Sequence, residues 1–302
     1  MHSAALVRHA LARRSAEGKP GGTSSRLLAR GEGWSVKDIV CTHDRSDQPF
    51  EERHNAVAVA LVLAGTFQYR CGDHSELLAP GALMLGNYGT CFECGHEHAA
   101  GDRCVAFHFS PDYFERIAAD AGYLKASFGT LRVPPIRETG RLGALIGARL
   151  DQSHAGWEDI ALDIAARALA LARHHEPRRR APSRKLLAQV TESVRSIEAE
   201  PARDHTLQQL AAATGVGPYY YLRVFERVTG VTPHQFVLRA RLRQAALRLA
   251  ETGVQIATIA FQSGFGDLSN FNHAFRAEFG VTPRQWRRGI RGVASGRWPG
   301  LS

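Results

Sequence analysis

The residues with the most evident chemistry lie in the stretch CFECGHEHAAGDRC, which packs three cysteines and two histidines into fourteen residues. If this stretch is a strand, its alternating side chains place Cys94, His96 and His98 on one face. The AAGD sequence predicts a turn that brings Cys104 alongside them. Thiolate and imidazole groups at this spacing suit zinc or another soft divalent metal. We therefore predict a metal site with the candidate ligands Cys91, Cys94, His96, His98 and Cys104.

Two other interpretations of this stretch stay open at the level of sequence. The cysteines could sense redox state, which requires a thiolate of low pKa. Alternatively, the motif is structural: buried thiols act as small apolar groups, and Glu97 and Asp102 satisfy the histidines. The cysteine spacing lacks a full pair of CxxC motifs, so it does not decide between a metal site, a redox sensor and a structural turn.

A second kind of chemistry is suggested by two similar stretches, GPYYYLRVF and GDLSNFNHAF. In each, helical spacing predicts a buried apolar face and leaves a polar face uncommitted. The uncommitted face of the first holds Tyr219, Tyr220, Leu222, Arg223 and Arg227, and that of the second holds Leu268, Ser269, Asn272, His273 and Arg276. An arginine can donate two hydrogen bonds to guanine, and an asparagine can pair in the same way with adenine.

The elements that must position these faces form a repeated helix-turn-helix. Thr206, with Gln209 three residues on, predicts a capping box, and Pro218 and Asp267 mark the starts of the two later helices. Both units end alike, in VTGVTPHQF and EFGVTPRQW. A helix, a glycine-containing turn and a second helix are typical of DNA-binding units.

A single long helix is predicted between the two units, over residues 233–252. With about 19 residues it would be roughly 28 Å long, and successive major-groove faces lie about 34 Å apart. Such a spacer can place two recognition helices in adjacent grooves. Its arginines, including Arg239 and Arg241, are expected on its outward side, near DNA phosphates.

Charge separates the chain into two parts. From residue 176 onward there are 19 Lys and Arg against 9 Asp and Glu, whereas the first 175 residues hold 19 and 20. The formal charge of +9 therefore resides in the C-terminal part. On charge alone, a basic domain beside a neutral one indicates either a polyanion-binding module joined to a second function or a solvated basic surface.

The predicted fold class is α+β. Short strands punctuated by Gly and Pro at residues 34–110 favour a small antiparallel β-barrel, flanked by helices at 111–174. An all-α domain of two helix-turn-helix units joined by a linker helix follows. The predicted divisions are a poorly ordered segment (1–30), a sensor or dimerisation domain with C-terminal helices (31–174), a linker (175–184), the double helix-turn-helix domain (185–290) and a tail (291–302).

Residues 184–290 resemble the DNA-binding domain of AraC/XylS-type transcription regulators. The resemblance rests on LQQLAAATGVGPYYYLRVFERVTGVTPHQF, on the spacer RARLRQAALRL and on IATIAFQSGFGDLSNFNHAFRAEFGVTPRQWR. It implies a domain that reads two consecutive major grooves through Tyr219, Leu222 and Arg223 in one unit and Leu268, Ser269, Asn272 and His273 in the other.

The N-terminal part resembles the cupin-like sensor domain of the same family, through FEERHNAVAVALVLAGTFQYR and LLAPGALMLGN. In cupins the metal-binding His-x-His precedes the Pro-Gly turn. Here His96 and His98 follow Pro80 and Gly81, so the cupin metal site is not transferred to this chain.

We therefore expect a sequence-specific transcription regulator and not an enzyme. Its expected partners are double-stranded promoter DNA, RNA polymerase, a second copy of the chain, and a small-molecule or metal effector such as zinc. The alternative is a cupin-type metal-dependent dioxygenase or isomerase fused to a DNA-binding module. The start lacks a signal-peptide core, and the longest apolar run, 56–64, is too short to span a bilayer. The expected location is the bacterial cytoplasm, at the nucleoid and with no membrane partner, which leaves the five cysteines reduced.

Overall fold

The computed structural model describes residues 3–49, 51–150, 156–175 and 183–293. An N-terminal domain of strands and flanking helices is followed by a C-terminal domain of helices, which confirms the predicted α+β class. The N-terminal elements are α1 (Ser3–Glu17), β1 (Thr23–Gly31), β2 (Trp34–Asp44), β3 (Glu51–Arg53), β4 (Val57–Gly65), β5 (Phe67–Cys71), β6 (His74–Leu78), β7 (Leu83–Gly86), β8 (Cys91–Gly95), β9 (Ala100–Phe109), α2 (Pro111–Asp120), β10 (Arg132–Val133), α3 (Arg137–Arg149) and α4 (Trp157–Ala172). The C-terminal elements are α5 (Arg184–Ala199), α6 (Leu207–Ala212), α7 (Pro218–Thr229), α8 (Pro233–Glu251), α9 (Ile256–Gln262), α10 (Leu268–Phe279) and α11 (Pro283–Val293).

The predicted small β-barrel takes the form of two antiparallel sheets packed face to face. One sheet has the order β1-β2-β9-β4-β7-β10, and the other has the order β3-β8-β5-β6. Side chains alternate along β9, and Val105, Phe107 and Phe109 pack in a core with α2, α3 and α4. Cys104 and Ala106, on the opposite face of β9, pack against the four-stranded sheet. Both faces of the larger sheet are therefore buried.

The helices that cover the larger sheet are defined by a capped start in α2 and by a buried apolar face in α4. Ser110 caps α2 by accepting a hydrogen bond from the backbone N–H of Tyr113 over 3.3 Å, and Pro111 occupies the first turn. In α4, Ile160 and Ile164 are 7% and 0% exposed and lie in the same core as β9. Burying such a side chain contributes about 1.5–3 kcal/mol, so this face fixes α4 on the sheet.

The prediction of a poorly ordered segment at 1–30 is wrong for the part that the structure describes. Helix α1 packs on β2, β4 and β9, and β1 pairs with β2. Arg14 of α1 donates to the carbonyl of Thr42 over 2.6 Å and forms ion pairs with Asp44 and Asp47 at 3.0 and 2.9 Å. These long-range contacts stabilise a polar helix that local sequence did not favour. The predicted linker at 175–184 lies mainly in residues 176–182, outside the described residues, as do residues 294–302 of the predicted tail.

Residues of the N-terminal domain contribute to both hydrophobic cores of the helical domain. Leu77 and Ala79 of the sheet domain pack into the core formed by α5, α6, α7 and the first half of α8. Ala144 of α3 packs into the core formed by the second half of α8, α9, α10 and α11. The N-terminal domain is therefore docked on both halves of the helical domain. Within the described ranges, no helix combines the length and the apolar character needed to cross a membrane.

Candidate DNA interface and a buried Cys–His–Asp cluster

Helix α7 presents a polar face whose geometry is set by a fully buried opposite face. Tyr221 and Phe225 are 0% exposed, and the hydroxyl of Tyr221 donates to the Ser193 hydroxyl of α5 over 2.6 Å. On the outer face, Tyr219 is 84% exposed and Tyr220 is 46% exposed. Of the other predicted contact residues of α7, Arg223 and Arg227 are exposed and Leu222 is half-buried.

The turn before α7 is defined by local sequence. In α6, Thr206 accepts from the backbone N–H of Gln209 while the Gln209 side chain accepts from the backbone N–H of Thr206, which confirms the predicted capping box. Gly215 adopts a φ of +70°, a conformation that favours glycine, and so reverses the chain. Pro218 then occupies the first turn of α7, where its missing N–H costs no hydrogen bond.

Helix α10 repeats this arrangement in the second unit. Its predicted cap, Asp267, accepts from the backbone N–H of Asn270 over 2.6 Å. Phe271 and Phe275 are 0% exposed and Phe279 is 1% exposed, so one face is buried against α8, α9 and α11. All five predicted contact residues lie on the exposed face: Leu268, Ser269, Asn272, His273 and Arg276.

The equivalence of the two units extends to the way each recognition helix ends. Gly230 and Gly280 are the C-caps of α7 and α10, with φ of +84° and +75°. Each is followed by a Thr and Gln pair that exchanges capping hydrogen bonds at the start of the next helix, Thr232 with Gln235 and Thr282 with Gln285. The repeated VTP motif thus marks the same junction in both units, where the recognition helix has ended and the next helix begins.

The spacer helix α8 has the predicted length of 19 residues, but its arginines do not all face outward. Arg239 donates to the carbonyl of Pro135 over 3.2 Å, and Arg243 forms an ion pair with Glu198; their side chains are 13% and 14% exposed. Arg241 donates to the carbonyls of three residues, Pro201, Arg203 and Gly264, at 2.8, 3.0 and 2.9 Å. The expected outward placement is therefore wrong for Arg239 and Arg243, because the N-terminal domain and α5 cover that side of α8.

The contact between the domains places a carboxylate among arginines. Glu278 of α10 is 8% exposed and lies 3.4 Å from Nε of Arg239 and 4.0 Å from Nε of Arg137. Burial raises the pKa of Glu278 above its usual range, although these arginines oppose the shift. A second link is Arg132, which donates to the carbonyls of Leu77 and Val228 over 2.7 Å each. The N-terminal domain thus contacts both recognition helices.

A buried cluster of different chemistry lies in the sheet domain. Atoms of Cys41, His96 and Asp102 that could bind a metal all lie within 4.8 Å of one another. The imidazole of His96 donates from Nε2 to Oδ1 of Asp102 over 2.8 Å, and the Cys104 thiol donates to Oδ2 of Asp102 over 3.4 Å. Nδ1 of His43 lies 3.2 Å from the sulfur of Cys41.

Electrostatics in and around this cluster favour a charged His96 and neutral thiols at Cys94 and Cys104. Burial alone would lower the pKa of His96, but its contacts with Asp102 and Cys41 outweigh burial and raise the pKa to about 9. Burial raises the pKa of the Cys94 and Cys104 thiols well above the usual value, and the charge of Asp102 adds to the effect. The low-pKa thiolate required for redox sensing is therefore disfavoured at Cys94 and Cys104.

Only part of the metal site predicted from sequence is brought together here. His96 belongs to the three-residue group and Cys104 contacts it through Asp102, whereas Cys91, Cys94 and His98 are not in the group. Sequence spacing missed Cys41, and it named Asp102 only as a hydrogen-bond partner of the histidines, a contact that the structure shows for His96. The signal that could have found them is the pairing of β2 with β9, in which Cys41 lies directly opposite Asp102.

Comparison with known proteins yields two domain matches. A model described as an AraC-like ligand binding domain matches residues 37–212, which is more than half of the chain. A model described as a helix-turn-helix domain matches residues 210–289. The second match contains both recognition helices, and the first contains the buried cluster.

Individual relatives agree with these matches. The HTH-type transcriptional activator RhaS of Klebsiella pneumoniae (strain 342) is 32% identical over 93 residues, which cover 31% of this chain and 34% of that protein. An uncharacterized HTH-type transcriptional regulator of Bacillus subtilis (strain 168), YbfI, is 26% identical over 228 residues, covering 72% and 79%. The chain matches only about a third of the length of the first curated relatives. Among solved structures, an AraC-type regulator from Chromobacterium violaceum is 28% identical with a TM-score of 0.32, covering 34% of this chain and 91% of that one.

Proposed function

The chain belongs to the AraC family of helix-turn-helix regulators, and we propose that it is a sequence-specific transcription regulator that reads two adjacent major grooves of double-stranded promoter DNA. One observation carries the proposal: α7 and α10 each bury one face completely and expose the other, and the 19-residue helix α8 joins the two units. Two such helices at a fixed separation suit DNA sites that lie one helical turn apart. Neither matched domain description names a reaction, so the proposal includes no catalytic step.

In this proposal, bases are read by the exposed residues of α7 and α10. Arg223 donates two hydrogen bonds to a guanine and Asn272 pairs with an adenine. Tyr219, Leu222, Leu268 and Ser269 border the same base edges, and Tyr220, Arg227, His273 and Arg276 contact the backbone. Contacts with the DNA backbone position the protein without specifying sequence.

In this proposal, the spacer arginines brace the protein and do not contact DNA phosphates, the role that was predicted from the sequence. Arg241 braces the carbonyls of Pro201, Arg203 and Gly264, and so fixes the turn between α9 and α10 relative to α8. Arg239 is held by Pro135 and Glu278. A phosphate contact by Arg239 therefore requires α3 to leave α8.

Regulation follows from the docking of the two domains. A signal that binds the N-terminal domain shifts DNA affinity only if it binds the docked and undocked arrangements unequally. The contact of α3 with α8 and α10 supports such a mechanism, because the spacer and a recognition helix are held by the ligand-binding domain. Promoter binding places the action of the protein at the nucleoid, in the cytoplasm.

We further propose the two macromolecular partners that the family resemblance implies, RNA polymerase and a second copy of the chain. Of the helices in the predicted sensor or dimerisation domain, α3 is covered by the helical domain of its own chain. Helix α4 keeps an outer face on which Leu162 is 39% exposed. Sedimentation of wild type and Leu162→Glu tests this surface, and a dimer unaffected by the substitution would exclude it.

The function is tested by selecting duplexes from a random library with the full chain. We expect one enriched motif with two clusters of preferred bases, centred about one helical turn (roughly 10.5 base pairs) apart. Binding that shows no base preference, with a salt dependence identical for all duplexes, would contradict the proposal.

A further inference from the structure

The geometry points to a divalent metal site between the two sheets, and we propose that Cys41, His96 and Asp102 are its ligands and that Cys104 supplies the fourth. The donor set fits zinc or a cation of similar preference, because thiolate and imidazole groups favour such ions over magnesium or calcium. The site lies in the ligand-binding domain. It goes beyond the proposed function, since metal binding does not require DNA recognition.

The strand pairing explains why three of these residues face one another. Cys41 of β2 lies directly opposite Asp102 of β9 in the antiparallel register, so their side chains share a face. Cys104 lies two residues beyond Asp102 on β9 and points to the same side. His96 follows β8 of the other sheet and closes the group from above. Three residues from three chain segments therefore meet within 4.8 Å, and Cys104 adjoins them through Asp102.

The distances leave only a small contraction to be made. With bonds of about 2.0–2.3 Å, the ligand atoms around a tetrahedral zinc ion are roughly 3.3–3.8 Å apart. The ligand atoms of Cys41, His96 and Asp102 lie within 4.8 Å of one another, and the Cys104 sulfur is 3.4 Å from Oδ2 of Asp102. Binding thus needs these three atoms to close in by at most about 1.5 Å and Cys104 to turn towards them, and the hydrogen bond from His96 to Asp102 gives way to two metal bonds.

Burial and charge also fit a cation. Cys41, His96, Asp102 and Cys104 are 8%, 5%, 5% and 6% exposed. A carboxylate removed from water to this extent requires a compensating charge. Two thiolates and one carboxylate supply three negative charges against the two of a divalent metal, and the imidazole binds it as a neutral ligand.

The surroundings hold the ligands in place before a metal arrives. The end of β2 beyond Cys41 is fixed by Arg14 of α1, which donates to the carbonyl of Thr42 and pairs with Asp44 and Asp47. Next to Asp102, Gly101 allows close packing of α1, since a Cβ there would lie 2.9 Å from the side chain of Val7. A rigid supporting layer of this kind is what a metal site needs to keep its geometry.

The test uses the full chain, reduced and freed of metal, titrated with Co²⁺ and then with Zn²⁺ in competition. We expect one Co²⁺ per chain, with the intense visible bands of a tetrahedral site and a thiolate-to-cobalt absorption in the near ultraviolet, both removed by Zn²⁺. Cys41→Ser or Asp102→Asn should weaken binding more than about 100-fold, because even residues that only support a ligand cost 10–100-fold. Cys104→Ser should keep some binding but lose part of the thiolate absorption.

Matched variants separate this site from the one that sequence spacing predicts. Cys71→Ser, in the β5–β6 hairpin, is the control for loss of a cysteine, and Cys91→Ser removes a ligand predicted from spacing alone. Both should bind Co²⁺ as the wild type does. Binding lost in Cys91→Ser but kept in Cys41→Ser would overturn the proposal, as would a wild type that binds no metal.

Folding of the variants is checked by their thermal unfolding and by DNA binding. Zn²⁺ should raise the unfolding temperature of the wild type and of Cys71→Ser but not that of Cys41→Ser. A rise of equal size in Cys41→Ser would also contradict the site. Because DNA recognition is measured separately, failure to bind metal leaves the proposed regulator function standing, and failure to bind DNA leaves the metal site standing.

Discussion

Gly140 of α3 and Glu278 of α10 are in direct contact across the boundary between the two domains. A Cβ on Gly140 would lie 2.8 Å from Oε1 of Glu278. The same carboxylate pairs with Arg137 of α3 and Arg239 of α8. This buried acidic side chain therefore adds an ionic link from the second recognition helix to both the ligand-binding domain and the spacer, beside the apolar core that α10 shares with Ala144 and α8.

The glycine at this contact can be tested against a neighbouring glycine on the same helix. A Cβ on Gly143 would meet Leu61 at 3.6 Å, an ordinary contact. Gly143→Ala should therefore raise the free energy of unfolding by up to about 1 kcal/mol, because alanine favours a helix more than glycine does. Gly140→Ala displaces the Glu278 carboxylate from its arginines, and its stability should fall roughly 1–3 kcal/mol below that of Gly143→Ala. Equal unfolding free energies for the two variants would contradict the docking.

Arg223 should discriminate among bases, whereas Arg276 should not. Both side chains are exposed on recognition helices. Arg223→Ala should cost about 1–3 kcal/mol on the selected operator and relax one base position. Arg276→Ala should weaken binding on all duplexes alike and reduce the dependence of affinity on salt. Titrations on the operator and on a scrambled duplex, at several salt concentrations, measure both effects. Equal losses on both duplexes for Arg223→Ala would make it a backbone contact.

Arg241 should act on stability and not chiefly on DNA affinity. Its substitution by alanine leaves the carbonyls of Pro201, Arg203 and Gly264 without their donor, which should lower the unfolding free energy by roughly 1–3 kcal/mol. Arg195→Ala is the matched control, because Arg195 pairs only with the exposed Glu192, at 3.2 Å, and such pairs contribute little. Thermal and denaturant unfolding compare the two variants. A stable Arg241→Ala protein that has lost its salt dependence of DNA binding would instead indicate a phosphate contact.

His54 should make the sheet domain sensitive to acid. It is 7% exposed, stacks on Phe92 and has Nε2 2.7 Å from the Tyr69 hydroxyl. Burial, assisted by His108, lowers its pKa from 6.5 to about 4. The folded state therefore keeps His54 neutral while the unfolded chain takes up a proton. The contribution to stability is complete above pH 6.5 and is lost as pH falls towards 4, by up to about 3 kcal/mol.

The measurement for His54 is the slope of unfolding free energy against pH. His54→Phe should start from a different stability, because the contact with Tyr69 is lost, but it should show a shallower fall between pH 6.5 and 4. The remaining fall comes in part from His108, whose pKa burial also lowers to about 4. Slopes that match in wild type and variant would show that His54 does not titrate in this way.

Sequence predicts the helical domain more fully than the sheet domain. The reason is that the contacts that define the helices join residues close together in the chain, whereas those of the sheet domain join residues far apart. The capping box of Thr206 and Gln209, the cap at Asp267 and the buried phenylalanines of α10 depend on neighbours within one or two turns. Such contacts are visible in spacing alone. The ordered packing of helix α1 was not predicted, because it depends on contacts of Arg14 with β2, some thirty residues away.

Local spacing also fails to predict the proposed metal ligands and the direction of the spacer arginines. Local spacing groups His96 with Cys94 and His98, but the register of β2 and β9 brings Cys41 to Asp102 from more than fifty residues away. The direction of Arg239 is set by Glu278 of α10 and by Pro135, which adjoins α8 only when the domains dock. Periodicity identifies the faces of α8, but it does not say which face another domain covers.

The central claim, that α7 and α10 read two adjacent major grooves at a spacing fixed by α8, is tested most directly by changing the spacing in the operator. Inserting about five base pairs between the two base clusters turns one of them to the opposite side of the duplex. We predict that affinity falls to that of random DNA and that a hydroxyl-radical footprint keeps at most one of its two protected patches. Replacing the central bases without changing their number should leave both patches in place. Undiminished affinity and two protected patches after the insertion would contradict the claim.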